Sequence, residues 1–131
     1  MTTRGSGGSI VVVSSVLATS PSPQRFRTDA YAAAKGAQLA LVTTTAAAHA
    51  SDGIRINAIA PSLVATPMSA RAQSDDEILT FARAKQPLTD GILDPGAIAD
   101  AALFLVSDES AAITGQVLAV DGGWSVSEGR S

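Results

Sequence analysis

The chain has no cysteine and a single histidine, His49. Disulfide frameworks, thiolate metal sites and histidine-based metal clusters are therefore excluded within these residues, and no metal is expected. Aromatic residues make up only 4% of the 131 positions and charged residues 16%, against 46% hydrophobic. A core with so few rings has to be built from Ala, Val, Ile and Leu, and small side chains of that kind suit helices packed closely on a sheet. Basic residues are few, nine against twelve acidic ones, for a net charge of −3. They are scattered apart from Arg25 and Arg27, so the basic face that nucleic acid requires is missing. No hydrophobic run is long enough to cross a bilayer, and the N-terminal "MTTRGSGGS" is polar and glycine-rich. A soluble, cytoplasmic chain of single-domain size is expected, with neither nucleic acid nor membrane as partner.

What is present is a regular alternation of strand and helix signals. "GGSIVVVSS" is a β-branched run entered from glycines and left through serines; because it does not alternate, it reads as a strand buried on both faces. After the Pro- and Ser-rich "ATSPSPQRFRTD", Asp29 or Thr28 can cap a long helix from about Ala30 to Ala50. Gly53 suits its left-handed C-terminal cap. "IRINAIAP" is a second strand, stopped by Pro61, and "SLVATPMSARAQSDDE" is a loop of the length given to binding segments. A short helix is expected over about Asp75 to Lys85. A further one starts with Asp94 as cap and Pro95 in its first turn and ends near Val106. "ITGQVLAVDGG" closes the series as a third buried strand. Strands alternating with helices predict an α/β fold with a parallel sheet. Three strands make a thin sheet, and the first would leave an apolar edge from Ile10 to Val13 that needs covering.

The chemistry-bearing stretch is "DAYAAAKGAQLA". It contains the only tyrosine, Tyr31, and four residues later Lys35. At that spacing both side chains stand on one helix face, near the helix N-terminus. A phenol ionises near pH 10 and is a poor acid or base at neutrality. An adjacent ammonium and the positive end of the helix dipole both favour the phenolate. A phenol in that setting can exchange a proton with a carbonyl or alcohol oxygen. Ser14 or Ser15, at the end of the first strand, can hold the same oxygen. Ligands of parallel α/β sheets collect beyond the carboxyl ends of the strands, where these serines and Pro61 lie. Asn57, mid-strand, is expected to bond loop backbone. Asp121 reads as part of a turn and the Asp75–Asp76–Glu77 cluster as helix N-terminal charge.

"IVVVSSVLA", "YAAAK", "IRINAIAPSLVATPM" and "ITGQVLAVDGG" follow one another in the order of four motifs that resemble the short-chain dehydrogenase/reductase family. The resemblance runs from about residue 7 to residue 124. It implies that Ser15 polarises the substrate carbonyl, Tyr31 donates or accepts the proton, and Lys35 assists Tyr31 and binds the nicotinamide ribose. It further implies that Pro61, Ser62, Val64 and Thr66 lie along the nicotinamide, with about Ser69 to Asp90 as substrate lid, and that Trp124, at the end through which the family commonly assembles, packs at a subunit contact. NAD or NADP is the implied cofactor and an alcohol/ketone pair the implied substrate.

Two departures accompany the resemblance. Ser62 stands where the family usually has glycine. The glycine-rich TGxxxGxG-like turn that cradles the pyrophosphate has no counterpart, since "GSGG" at residues 5–8 precedes a strand instead of following one. The expected architecture is therefore the C-terminal part of a Rossmann-type doubly wound sheet, one partial domain over 1–131, with the N-terminal nucleotide-binding half absent. Two functions follow from it. One is an NAD(P)-dependent oxidoreductase, working as a homo-oligomer or paired with the missing half. The other is an inactive fragment that binds a partner through its open sheet edge.

Overall fold

The computed structural model describes Met1 and residues 7–128. Gly5 and Ser6 of the "GSGG" run lie outside the described residues. Three parallel strands, β1 (Gly8–Val13), β2 (Ile54–Pro61) and β3 (Val117–Val120), form one sheet in the order β1-β2-β3. The register pairs Gly8 with Ile54 and Val13 with Ile59 on one side of β2, and Ala58 with Val117 on the other. Four α-helices connect and flank the strands: α1 (Asp29–His49), α2 (Ala70–Gln73), α3 (Asp76–Lys85) and α4 (Pro95–Val106).

Central placement explains why β2 is buried along nearly its whole length. Ile54, Ile56 and Ala58 share one face and pack on Val42 and Ala46 of α1. Each large aliphatic side chain buried there contributes about 1.5–3 kcal/mol. Arg55, out of phase by one residue, points to the opposite face. There its guanidinium donates to the carbonyls of Leu105 (2.9 Å) and Ser107 (3.0 Å) and to the Ser110 hydroxyl (2.8 Å). A cation is thus set against the unpaired carbonyls at the C-terminal end of α4, where the helix dipole favours it. The sheet is covered on both faces, as a doubly wound fold requires.

The outer strands differ from the expectation that each is buried on both faces. Ile10 is 39% and Val13 50% exposed, and Val117 and Leu118 on β3 are also exposed. A continuous apolar run does not reveal whether its strand will be central or peripheral. With three strands, two must be edges. β3 is also shorter than its sequence signal, because the residues just before Val117 are irregular, with a bend at Gly115. Gly115, at φ 71°, supplies a conformation open to glycine there.

The helix boundaries follow their local chemistry. Thr28 is the N-cap of α1 by position, but its side chain makes no capping bond. Asp75 caps α3 through the N–H groups of Glu77 and Ile78, and Asp94 caps α4 through Gly96. Gly53 takes the left-handed conformation (φ 68°) that ends the turn after α1. α2 was not anticipated: four residues carry too little periodicity to announce a helix.

Asn57 has no exposed surface. Its amide donates to the Ile113 carbonyl (2.9 Å) and its oxygen accepts from the Gln116 N–H (3.0 Å), the backbone role expected of it. Trp124 departs from expectation. Only 2% exposed, it packs inside its own chain against Phe26 and Phe81 and donates its indole N–H to the Ser20 carbonyl. Among the described residues no helix is long and apolar enough to cross a membrane, and no cluster of His, Cys, Asp and Glu has the makings of a metal site.

Candidate active site

The strand ends Val13 and Pro61 open onto a cleft of about 1360 Å3. Its lining includes all seven residues singled out from the sequence: Ser15, Tyr31, Lys35, Pro61, Ser62, Val64 and Thr66. The parallel topology brings them together. β1 delivers the serine at its carboxyl end, α1 begins beside it with the tyrosine and lysine, and β2 ends in the Pro61–Thr66 segment. Crossover connections return each strand in the same direction, so residues far apart in sequence converge at one edge of the sheet.

The two adjacent serines have different tasks. Ser14 donates its hydroxyl to the Lys35 carbonyl (2.9 Å), tying β1 to α1. Ser15 accepts from the Leu17 N–H (3.2 Å) and so caps the short 3-10 turn at Val16–Ala18. Its own O–H proton is left available toward the cleft. Of the two hydroxyls, only that of Ser14 donates to a partner among the described residues.

Lys35 is held at the sheet end by donating to the Val13 carbonyl (2.9 Å). An ammonium has three donors, so two remain. Its Nζ lies 5.6 Å from the centroid of the Tyr31 ring, within cation–π range. Tyr31 is 38% exposed, and its hydroxyl has no hydrogen-bond partner among the described residues, so the phenol is open to a ligand. The i, i+4 spacing has therefore placed phenol and ammonium side by side at the rim of the cleft.

Ser62 supplies a further polar atom. Its Oγ is buried and finds no partner among the described residues. Such an orphan is costly in a settled interior, about 1–3 kcal/mol, and is relieved by any ligand that accepts or donates there. The backbone that follows is fixed: Ala65 N–H donates to the Leu93 carbonyl and Leu93 N–H to the Leu63 carbonyl, both at 2.9 Å. Ser69 donates its hydroxyl to the Val64 carbonyl and accepts from the Thr66 N–H.

Sequence reasoning missed three contributors. Gln86, fully buried, clasps the segment after β2. Its oxygen accepts from the Leu63 N–H (3.3 Å), and its amide donates to the carbonyls of Leu63 (3.1 Å) and Gly91 (2.7 Å). Trp124 lines the cleft and, with Phe26 and Phe81, joins the loop before α1 to α3. Arg71, in α2, also lines the cleft. None of these carries a local sequence signal, since long-range packing decides which side chains meet around the cleft.

Asp121, in the turn after β3, stands outside the cleft lining. Burial alone would favour its protonated form. Bonds from the Ser125 hydroxyl and from the N–H groups of Ser125 and Gly123 outweigh that and hold the carboxyl below its ordinary range.

Comparison with known proteins agrees with this architecture. A family model described as enoyl-(acyl carrier protein) reductase matches residues 1–125. Short-chain dehydrogenase reductase 3a of Arabidopsis thaliana is 40% identical over 129 residues, covering 96% of this chain and 48% of the relative. A structure from Beutenbergia cavernae with NADP bound at low occupancy superposes with a TM-score of 0.86 at 36% identity, covering 95% of this chain and 48% of that one. A 4-hydroxyisoleucine dehydrogenase in complex with NADH gives 0.87 at 28% identity, covering 96% and 50%. The chain thus spans about half the length of the relatives it matches. With the family model extending over nearly all of its residues, the chain belongs to the short-chain dehydrogenase/reductase family.

Proposed function

We propose that this chain carries the catalytic and nicotinamide-binding side of an NAD(P)-dependent oxidoreductase that interconverts a carbonyl and an alcohol. The observation that carries the reading is the Tyr31–Lys35 pair on α1, sharing one cleft with the Ser15 hydroxyl. In carbonyl reduction Ser15 donates a hydrogen bond to the substrate oxygen and polarises it. Tyr31 gives its phenolic proton to that oxygen as negative charge develops there, and Lys35 stabilises the phenolate left behind. In alcohol oxidation the same proton moves the other way. A nicotinamide held in the cleft would supply or accept the hydride.

The residues present fit the nicotinamide end of such a cofactor. Lys35 keeps two free donors for ribose hydroxyls, and the unpartnered Ser62 hydroxyl lies in the same cleft with Pro61, Val64 and Thr66. A serine in place of the family's glycine is thereby a polar contact, tuning the site instead of closing it. The segment from about 69 to 90, which follows Thr66 and is clasped by Gln86, serves as the substrate lid. Among the described residues no strand leads into a TGxxxGxG-like turn of the kind that cradles a pyrophosphate. Hydride transfer needs the nicotinamide fixed against the carbonyl carbon. The chain by itself is therefore expected to hold the cofactor weakly and to turn over slowly.

Carbonyl reduction with NADH or NADPH, compared between the wild type and Tyr31→Phe, tests the assignment. Loss of the proton donor lowers the rate about 100-fold or more, within the range of general acid catalysis, with circular dichroism unchanged. A Tyr31→Phe rate equal to that of the wild type would refute the role given to Tyr31.

A second reading is supported by the unpaired outer edge of β1, where Ile10 and Val13 are exposed. There the chain acts as a binding partner that adds a strand from another polypeptide.

A further inference from the structure

The cleft is more basic than the chain that forms it. Arg25, Arg27, Lys35 and Arg71 line it, and no aspartate or glutamate does. The whole chain has twelve acidic residues against nine basic ones. A molecule of net negative charge thus presents a carboxylate-free, cationic wall to whatever enters.

Two of the four cations are committed. Lys35 donates to the Val13 carbonyl, and Arg25 pairs with Glu77 at 2.7 Å, joining the loop before α1 to α3. Arg27 and Arg71 are not. Neither has a side-chain hydrogen bond or an ion pair among the described residues. They reach the cleft from different connections, Arg27 from the loop entering α1 and Arg71 from α2. Exposed arginines on their own are ordinary surface. Two unpaired guanidinium groups brought by separate segments to the cavity that holds Tyr31 and Ser15 are a recognition element. The planar fork of each matches a carboxylate or phosphate through two parallel hydrogen bonds.

We propose that the cleft selects an anionic carbonyl or hydroxy compound, its carboxylate or phosphate held by Arg27 and Arg71 while its reacting oxygen meets Tyr31 and Ser15. The inference rests on the role given to Tyr31 and Ser15 above. The arginines move neither proton nor hydride; they set specificity.

The test uses the single tryptophan, Trp124, which lines the cleft and reports occupancy by its fluorescence. Two matched pairs of probes are titrated: 4-oxopentanoate against its methyl ester, and dihydroxyacetone phosphate against dihydroxyacetone. The charged member of at least one pair should bind about tenfold more tightly, as charge-assisted hydrogen bonds allow. Added salt should weaken that preference. Which pair shows it identifies carboxylate or phosphate as the anion. In Arg27→Ala/Arg71→Ala the preference should vanish, with binding of the neutral probe unchanged. Equal affinity within both pairs, a preference that survives the double substitution, or no binding of any probe overturns the proposal. Reduced nicotinamide mononucleotide is titrated in parallel. If it binds while anion preference is missing, only this inference fails; if it does not bind, the nicotinamide reading beneath it fails.

Discussion

Replacing Asn57 by alanine should be among the most damaging single changes in this chain. The residue sits mid-way along the central strand with no exposed surface. Its two hydrogen bonds run to Ile113 and Gln116, both in the segment that carries the chain from α4 to β3. The Ala58 N–H also donates to the Gln116 carbonyl (2.8 Å), so one amide side chain and its neighbour hold the approach to β3 in register. Alanine leaves the Ile113 carbonyl and the Gln116 N–H without these partners in the interior. At about 1–3 kcal/mol for each of the two unsatisfied groups, the loss is about 2–6 kcal/mol. Against a typical total of about 5–15 kcal/mol, that is a large fraction of the stability. Asn57→Asp should cost at least as much, because it turns a carboxylate oxygen toward the Ile113 carbonyl in a buried site. Urea unfolding followed by far-ultraviolet circular dichroism and by Trp124 fluorescence measures both variants, with the slope checked for constancy. A loss below about 1 kcal/mol for Asn57→Ala would contradict the claim that these bonds matter energetically.

Two further outcomes follow from the same bookkeeping of polar groups. Gln86→Ala removes three hydrogen bonds of a fully buried side chain at the base of the segment after β2 and should cost about 2–4 kcal/mol. It should also speed amide exchange selectively across α3; exchange faster by the same factor in β2 would show global loosening instead. Asp121 has a folded-state carboxyl held below its ordinary value of 3.8, so its stabilising effect is complete above that value and fades as pH falls through the lowered one. Asp121→Asn should therefore unfold more easily than the wild type at pH 7, with the gap closing in acid. A gap that widened in acid would show that the sign is wrong.

Local chemistry was legible in the sequence where a residue's own neighbours decide its structure. Asp94 followed by Pro95 marks the start of α4, Gly53 marks the turn after α1, and the spacing of Tyr31 and Lys35 sets both on one face. The Asn57 side chain bonds backbone, as its place in an apolar strand requires of a buried amide. What depends on the arrangement of whole elements was less legible. β1 and β3 read as buried on both faces, although both are edges, because an apolar run does not encode its position in the sheet order. Trp124 read as a subunit contact and is instead held by Phe26 and Phe81 within the chain. Gln86 drew no attention because nothing local marks a glutamine that long-range packing will bury. Arg71 escaped for the complementary reason: its importance lies in the missing carboxylates around it, which only the assembled cleft displays.

The central proposal is that these 131 residues hold the nicotinamide end of a dinucleotide and not the adenosine end. An amide-detected nuclear magnetic resonance titration with reduced nicotinamide mononucleotide and, separately, adenosine monophosphate tests it most directly. The account expects the first to shift the resonances of Tyr31, Lys35, Ser62 and Thr66, with the effect lost in Lys35→Ala, and the second to leave them in place. Shifts produced equally by the adenosine nucleotide, or a nicotinamide response that survives Lys35→Ala, would contradict it.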